Sequence, residues 1–308
     1  MEKLIIKIIE TKNPTVVGLD PTLDYIPAHI KEEAFRKYGK TLRGAARAYL
    51  EFNKGIIDAV CDIVPAVKPQ CAYYELLGWY GVKCLHKTIE YAQEKGMYVI
   101  TDGKRNDIGS TMQAYAAAHL GEIDIEGEKC VPFGADALTV NGYLGTDGIK
   151  PLLDTIGNDQ DKGIFVLVKT SNPSSGELQD QMIGDTSVYA TMGDMCEKWG
   201  AASIGKYGYS QVGAVVGATY PEQLTELRRR LPHTFFLVPG YGAQGGGAKD
   251  VAGAFDANGL GGIVNSSRAV LTAWKKEGCC AEHYAKAARA EAIRMRDDIT
   301  SAIAQIKG

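Results

Sequence analysis

Apolar runs of five to seven residues, each closed by a turn residue or a charge and followed by a longer amphipathic stretch, recur along the whole chain. The runs are TVVGLD (15–20), AVKPQ (66–70), YVITDGK (98–104), ALTVN (137–141), IFVLVK (164–169), VGAVVGA (212–218), FFLVPG (235–240) and GGIVNSS (261–267). Between them lie helical stretches such as 41–63, 75–96 and 221–231, each ending near Gly or Pro. Eight strand-helix units in 308 residues predict one closed (β/α)8 TIM barrel, a single domain spanning 1–308. The opening stretch MEKLIIKIIETKNP is amphipathic and predicts a helix lying on the domain surface. Segments 21–40 and 171–186 exceed what a βα connection needs, so they are expected as insertions and candidate lids at the barrel mouth.

An open dinucleotide-binding sheet is the competing layout, because GYGAQG (240–245) matches GxGxxG after a strand. That motif needs an acid at the end of the next strand, and here the next strand ends in Asn265, Ser266, Ser267 and Arg268. In a barrel the same glycines suit a phosphate loop after the seventh strand.

Composition narrows the class. Hydrophobic residues are 45% and charged residues 23%, as in a globular chain with a sizeable core. A net charge of -3 gives no footprint for a nucleic-acid partner, and the run Arg228–Arg230 reads as a basic helix end. The N-terminal stretch is broken by charges, so neither a signal peptide nor a membrane span is expected there. Seven cysteines without a CxxC pair, and five histidines without ligand spacing, point to a reducing cytoplasm and to no metal centre.

Polar residues collect at one end of the strands. Asp20 closes the first, Lys68 lies in the second, Asp102 and Lys104 in the third, and Lys169, Thr170 and Ser171 end the fifth. Gln244 and Arg268 follow the last two. Asp102 and Lys104 are two apart, so an extended strand points both to one side, where Lys68 could join an alternating array of charges. Such an array holds a proton donor ready in a pocket of low dielectric. The Gly240–Gly247 amides, Gln244 and Arg268 would take a phosphate.

The stretch DGKRNDI (102–108) fits the pattern D-x-K-x-x-D-I, and with it the sequence resembles the orotidine 5'-phosphate decarboxylase family in its longer bacterial form. GLDPT, AVKPQ, KTSNPS, PGYGAQGG and NSSRAV match further, in the family's order, over residues 15–270. The resemblance implies cofactor-free decarboxylation of orotidine 5'-phosphate to uridine 5'-phosphate in a homodimer with shared sites. It implies Asp20 on a ribose hydroxyl, Lys68 bridging ribose and array, Asp102 against the substrate carboxylate, and Lys104 as proton donor to C6. Asp107, Ile108 and Thr111 would reach into the other subunit's site. Ser171 would contact the pyrimidine amide, and Gln244 and Arg268 the phosphate. Two rivals stay open: a sugar-phosphate aldolase using Lys104 or Lys169 as a Schiff-base amine or Asp102 as a metal ligand, and a non-catalytic nucleotide binder.

Overall fold

A computed structural model describes residues 1–242, 246–276 and 279–307. Eight parallel strands form a closed barrel: β1 (Thr15–Leu19), β2 (Ala66–Pro69), β3 (Tyr98–Arg105), β4 (Ala137–Val140), β5 (Gly163–Lys169), β6 (Val212–Val216), β7 (Phe236–Val238) and β8 (Gly262–Ser266). Each strand pairs with its neighbours in sequence, and β8 closes on β1 through Thr15 opposite Val264. Every run read from the sequence is a barrel strand, because a strand covered on both faces must be apolar nearly throughout.

Side chains alternate between the barrel interior and the helices outside. Val16, Ala66, Tyr98, Ile100, Ala137, Phe165, Val215, Phe235, Leu237 and Ile263 fill the interior. Their neighbours, such as Val17, Val67, Val99, Leu138 and Val264, meet the surrounding helices. Continuing the inward parity toward the strand ends leads to Gly18 on β1 and Asp20 just past it, Lys68 on β2, Asp102 on β3, Thr139 on β4 and Asn265 on β8. The interior is apolar at its base and polar at its mouth.

The first helix, α1 (Glu2–Thr11), lies with one face against the domain as expected, and what that face covers is the end of the barrel. Met1, Leu4, Ile5 and Ile8 are buried in the same cluster as the interior side chains, so α1 plugs the N-terminal end of the barrel. Burial of each Leu or Ile there stabilises the fold by roughly 2 kcal/mol. Amphipathic spacing fixes that one face is covered, but does not say what covers it.

Segment 21–40 is largely a helix on the outer wall rather than a flap. Within it, α2 (Ala28–Tyr38) buries Ile30 and Ala34 against α3 (Leu42–Val60). The turn between them brings the Gly39 carbonyl so near Gly44 that a Cβ there would lie 2.2 Å away, which only glycine permits. Thr41 caps α3 by accepting the Gly44 N–H at 3.2 Å. After β2 come α4 (Cys71–Glu75) and α5 (Gly78–Glu94), and after β3 comes α6 (Gly109–Leu120). Two short hairpins, Ile123–Ile125 with Glu128–Cys130 and Met182–Ile183 with Thr186–Ser187, are too brief to announce themselves by alternation.

Candidate active site

Asp102 is the hub of the mouth. Its Oδ2 accepts from Lys68 Nζ at 2.6 Å, and its Oδ1 accepts from Lys104 Nζ at 2.7 Å and from Thr139 Oγ1 at 2.8 Å. Burial would raise the Asp102 pKa, but Lys68 first and Lys104 second outweigh it and hold the carboxyl well below the usual carboxylate range. Burial likewise opposes the charge on Lys68, and the carboxylates of Asp102 and Asp20 reverse the balance, so its pKa is raised. Lys68 is 6% exposed and Lys104 45%, so of the two ammoniums it is Lys104 that faces the open mouth.

The backbone that presents Lys104 is not the extended strand assumed from sequence. Thr101 stands opposite Leu138 and Arg105 opposite Val140, so residues 102–104 bulge against the single residue Thr139. Lys104 sits at φ 47°, in the left-handed region that a residue with a Cβ enters at a cost of about 1–2 kcal/mol. Thr139 Oγ1 accepts the Lys104 N–H at 3.0 Å, fixing the bulge. Thr139 was not picked out from the sequence, and the signal for it was its inward parity on ALTVN.

Beside the array a cavity of about 280 Å³ is lined by Asp20, Tyr25, Tyr73, Asn265, Ser267 and Arg268, with Pro239, Gly240, Tyr241 and Ser266. Burial pushes the Asp20 pKa up, against the pull of Lys68. Asp20 Oδ1, Asn265 Oδ1 and Ser267 Oγ are buried with no partner within full hydrogen-bond distance among the described residues, while the Ser267 hydroxyl lies near enough to Asp20 to pull against that rise in pKa. Buried polar atoms are almost always paired, so these three mark where a polar ligand completes the site. Arg268, expected at the end of the eighth strand, opens the short helix Arg268–Leu271 at the rim.

The loop after β7 turns at Gly240 (φ 102°) and Gly242 (φ 74°). Its Gly242 N–H donates to the Gly246 carbonyl, Gly246 N–H to the Gly240 carbonyl, and Gly247 N–H to Asp250 Oδ2. Those three amides serve the loop itself, which narrows the expected set of backbone phosphate donors. Gln244 lies outside the described residues.

Asp107, Ile108 and Thr111 stand past the end of β3, and the structure does not bring them to Asp102. Asp107 Oδ1 accepts the N–H of the adjacent Ile108 at 2.8 Å, and Ile108 is 54% exposed. Ser171 follows β5 and packs against Gly217, where a Cβ would come within 2.9 Å of the Ser171 Cβ.

Lys169 is separate from the array. The pairing of β5 with β6 slips near Val216, and Lys169 turns outward into a fully buried position. There its Nζ donates to Asp180 Oδ1 at 2.7 Å, with the rings of Tyr220 and Tyr189 at 4.6 and 5.6 Å. Its surroundings are those of a structural anchor for the following loop.

Comparison with known proteins joins this geometry to a family. A model of the "Orotidine 5'-phosphate decarboxylase / HUMPS family" matches residues 17–280. The chain belongs to that family. An orotidine 5'-phosphate decarboxylase of Rhodopirellula baltica is 45% identical over 296 residues, covering 95% of this chain and 96% of that one. One from Caldicellulosiruptor bescii is 43% identical over 272 residues, covering 88% and 89%. Among solved structures of the family, a putative orotidine-monophosphate decarboxylase of Toxoplasma gondii superposes with a TM-score of 0.80 at 28% identity, covering 100% of this chain and 98% of that one. A putative orotidine 5'-phosphate decarboxylase of Streptomyces avermitilis gives 0.75 at 32% identity, covering 98% and 95%. The barrel read from periodicity is thus the decarboxylase family's barrel, with the N-terminal helix included.

Proposed function

We propose that the protein converts orotidine 5'-phosphate to uridine 5'-phosphate and CO2 without a cofactor, with Lys104 as the proton donor. The observation that carries this reading is the buried carboxylate of Asp102 held between two ammonium groups at the barrel mouth. Loss of CO2 breaks the bond between C6 and its carboxylate and leaves the electron pair at C6. A site that speeds this step must favour the new carbanion over the departing carboxylate. Lys104 places positive charge at C6, delivers a proton to it and is reprotonated by solvent. Asp102 stays ionised and repels the neighbouring substrate carboxylate, and loss of neutral CO2 moves that one negative charge from the carboxylate oxygens to C6, where Lys104 neutralises it by protonation.

The polar lining of the cavity beside the array supports the remaining contacts. Asp20 and Lys68 take the ribose, Ser171 the pyrimidine amide, and Arg268 with Gln244 the phosphate. The aldolase alternative is weakened by the engagement of both Asp102 oxygens, since a metal ion would have to displace Lys68 or Lys104. Lys169, the other candidate amine, is buried against Asp180.

The working unit is a homodimer in which Asp107, Ile108 and Thr111 complete the partner's site. Exposed apolar side chains on the connections after three adjacent strands support a covered rim: Ile108 after β3, Tyr143 and Leu144 after β4, and Leu178, Met182 and Ile183 after β5. No helix among the described residues is long and apolar enough to cross a membrane, and all seven cysteines are unpaired, which suits a reducing cytoplasm. The test is the fall in ultraviolet absorbance when purified protein meets orotidine 5'-phosphate in chelator. Steady turnover is expected; tight uridine 5'-phosphate binding without turnover would make the protein a nucleotide binder instead.

A further inference from the structure

A second cavity, of about 340 Å³, opens on the outer wall between α2, α3 and α5 and shares no lining residue with the one at the mouth. Its walls carry Arg43, Arg47, Lys83 and Lys87 and no acid, in a chain whose net charge is -3. Arg43 and Arg47 are four apart on α3, and Lys83 and Lys87 four apart on α5. Like charges at this spacing destabilise a helix by a few tenths of a kcal/mol per pair. Elsewhere the chain uses the same spacing for opposite charges, as in Lys150–Asp154. Arg47 has Glu51, which lies outside the cavity lining, at 2.9 Å, and the other three cations have no acidic partner among the described residues.

Aromatic rings edge the same cavity. Arg43 lies over the Tyr38 ring at 4.4 Å, which holds its guanidinium in place. Trp79 sits 4.0 Å from Tyr80, centroid to centroid, and is 65% exposed, an indole left in water at the rim. Unpaired cations call for an anion of several charges, and a free indole face calls for a planar ring. The volume is that of a small-molecule pocket rather than of a groove for a polymer. We propose that this cavity binds a nucleotide polyphosphate, with its base on Trp79 and its phosphates among Arg43, Lys83 and Lys87. Stacking does not discriminate between bases, so the purine and pyrimidine forms should both bind.

Calorimetric titration with ATP, UTP and tripolyphosphate checks this on the full-length protein at low salt, with the mouth saturated by uridine 5'-phosphate. Saturable binding of both nucleotides at a Kd below about 1 mM is expected. Lys83→Gln/Lys87→Gln should weaken all three ligands at least tenfold, and Trp79→Ala should weaken the nucleotides but not tripolyphosphate. The double variant should keep the wild-type melting temperature and basal turnover, so its lost binding is not unfolding. Absence of saturation, unchanged affinity in the double variant, or loss of all binding once the mouth is filled would each overturn the proposal. So would binding of a single-stranded oligonucleotide with none of ATP. Every readout is binding or melting apart from basal turnover, so a chain that failed to decarboxylate orotidine 5'-phosphate could still bind polyphosphates here.

Discussion

Lys104 joins two demands in one residue: its ammonium must reach Asp102 and the open mouth, and its backbone must accept φ 47° to do so. Lys104→Ala and Lys104→Gly separate them. Both should lose at least about 10² in kcat, the usual contribution of a positioned acid, while the Kd for uridine 5'-phosphate changes far less. The glycine variant should be more stable than the alanine variant by about 1 kcal/mol, because it enters the left-handed region without a Cβ clash. Equal denaturation midpoints would mean that the bulge carries no strain. His119 makes a second case. It is buried, with Nδ1 3.3 Å from Thr101 Oγ1 and its ring stacked on Phe133 at 5.1 Å. Burial first, and Arg105 second, push its pKa down from 6.5 to about 4. A depressed histidine is protonated more readily when unfolded, so its contribution to stability is full above about pH 6.5 and is lost as pH falls toward 4. The loss should approach about 3 kcal/mol. Urea midpoints between pH 7 and 4.5 should fall more steeply for the wild type than for His119→Gln, and parallel curves would remove His119 as the cause.

At the scale of elements, the loop after β5 is held by what lies beneath it. Lys169 is buried below Asp180, and Gln179 bonds Thr170 twice, donating to its hydroxyl at 2.7 Å and accepting its N–H at 2.9 Å. Asp180→Asn removes the counter-charge and leaves a buried ammonium facing two tyrosine rings. The full penalty of an unpaired buried charge is reduced because Asp180 itself is partly exposed, and about 1–2 kcal/mol is expected. Proteolysis of segment 171–187 should then speed up, and kcat/KM should fall, because Ser171 rides on that loop. Adding Lys169→Met should restore both, since an apolar side chain of similar length needs no partner. If the double variant is worse than the single one, Lys169 does more than anchor the loop.

At the scale of the whole molecule, the proposed site takes a second barrel to complete it. Asp107 lies beyond the strand end, half-buried and bonded to the adjacent amide, with exposed apolar residues around the rim. A partner related by a two-fold axis would bring Asp107 to Lys104. Lys104→Ala and Asp107→Ala proteins should each be inactive alone, and a mixture refolded together should regain about a quarter of wild-type activity, because half the dimers then carry one intact site. A mixture that stays inactive although gel filtration shows exchanged dimers would place Asp107 in its own subunit's site.

The eight strands were legible because burial on both faces forces continuous apolar runs, and the mouth was legible because charges at the ends of such runs have one place to go. DGKRNDI named the family without any geometry. Tertiary structure alone decided how Lys104 reaches Asp102, since a bulge depends on what the neighbouring strand places opposite, here Thr139. It decided that Lys169 turns away from the array, because the slip in pairing with β6 reverses its side of the sheet. It decided too that the part of the domain α1 lies against is the barrel floor. Periodicity records which side of each residue is covered, but the partner that covers it is chosen by contacts between segments far apart in the chain.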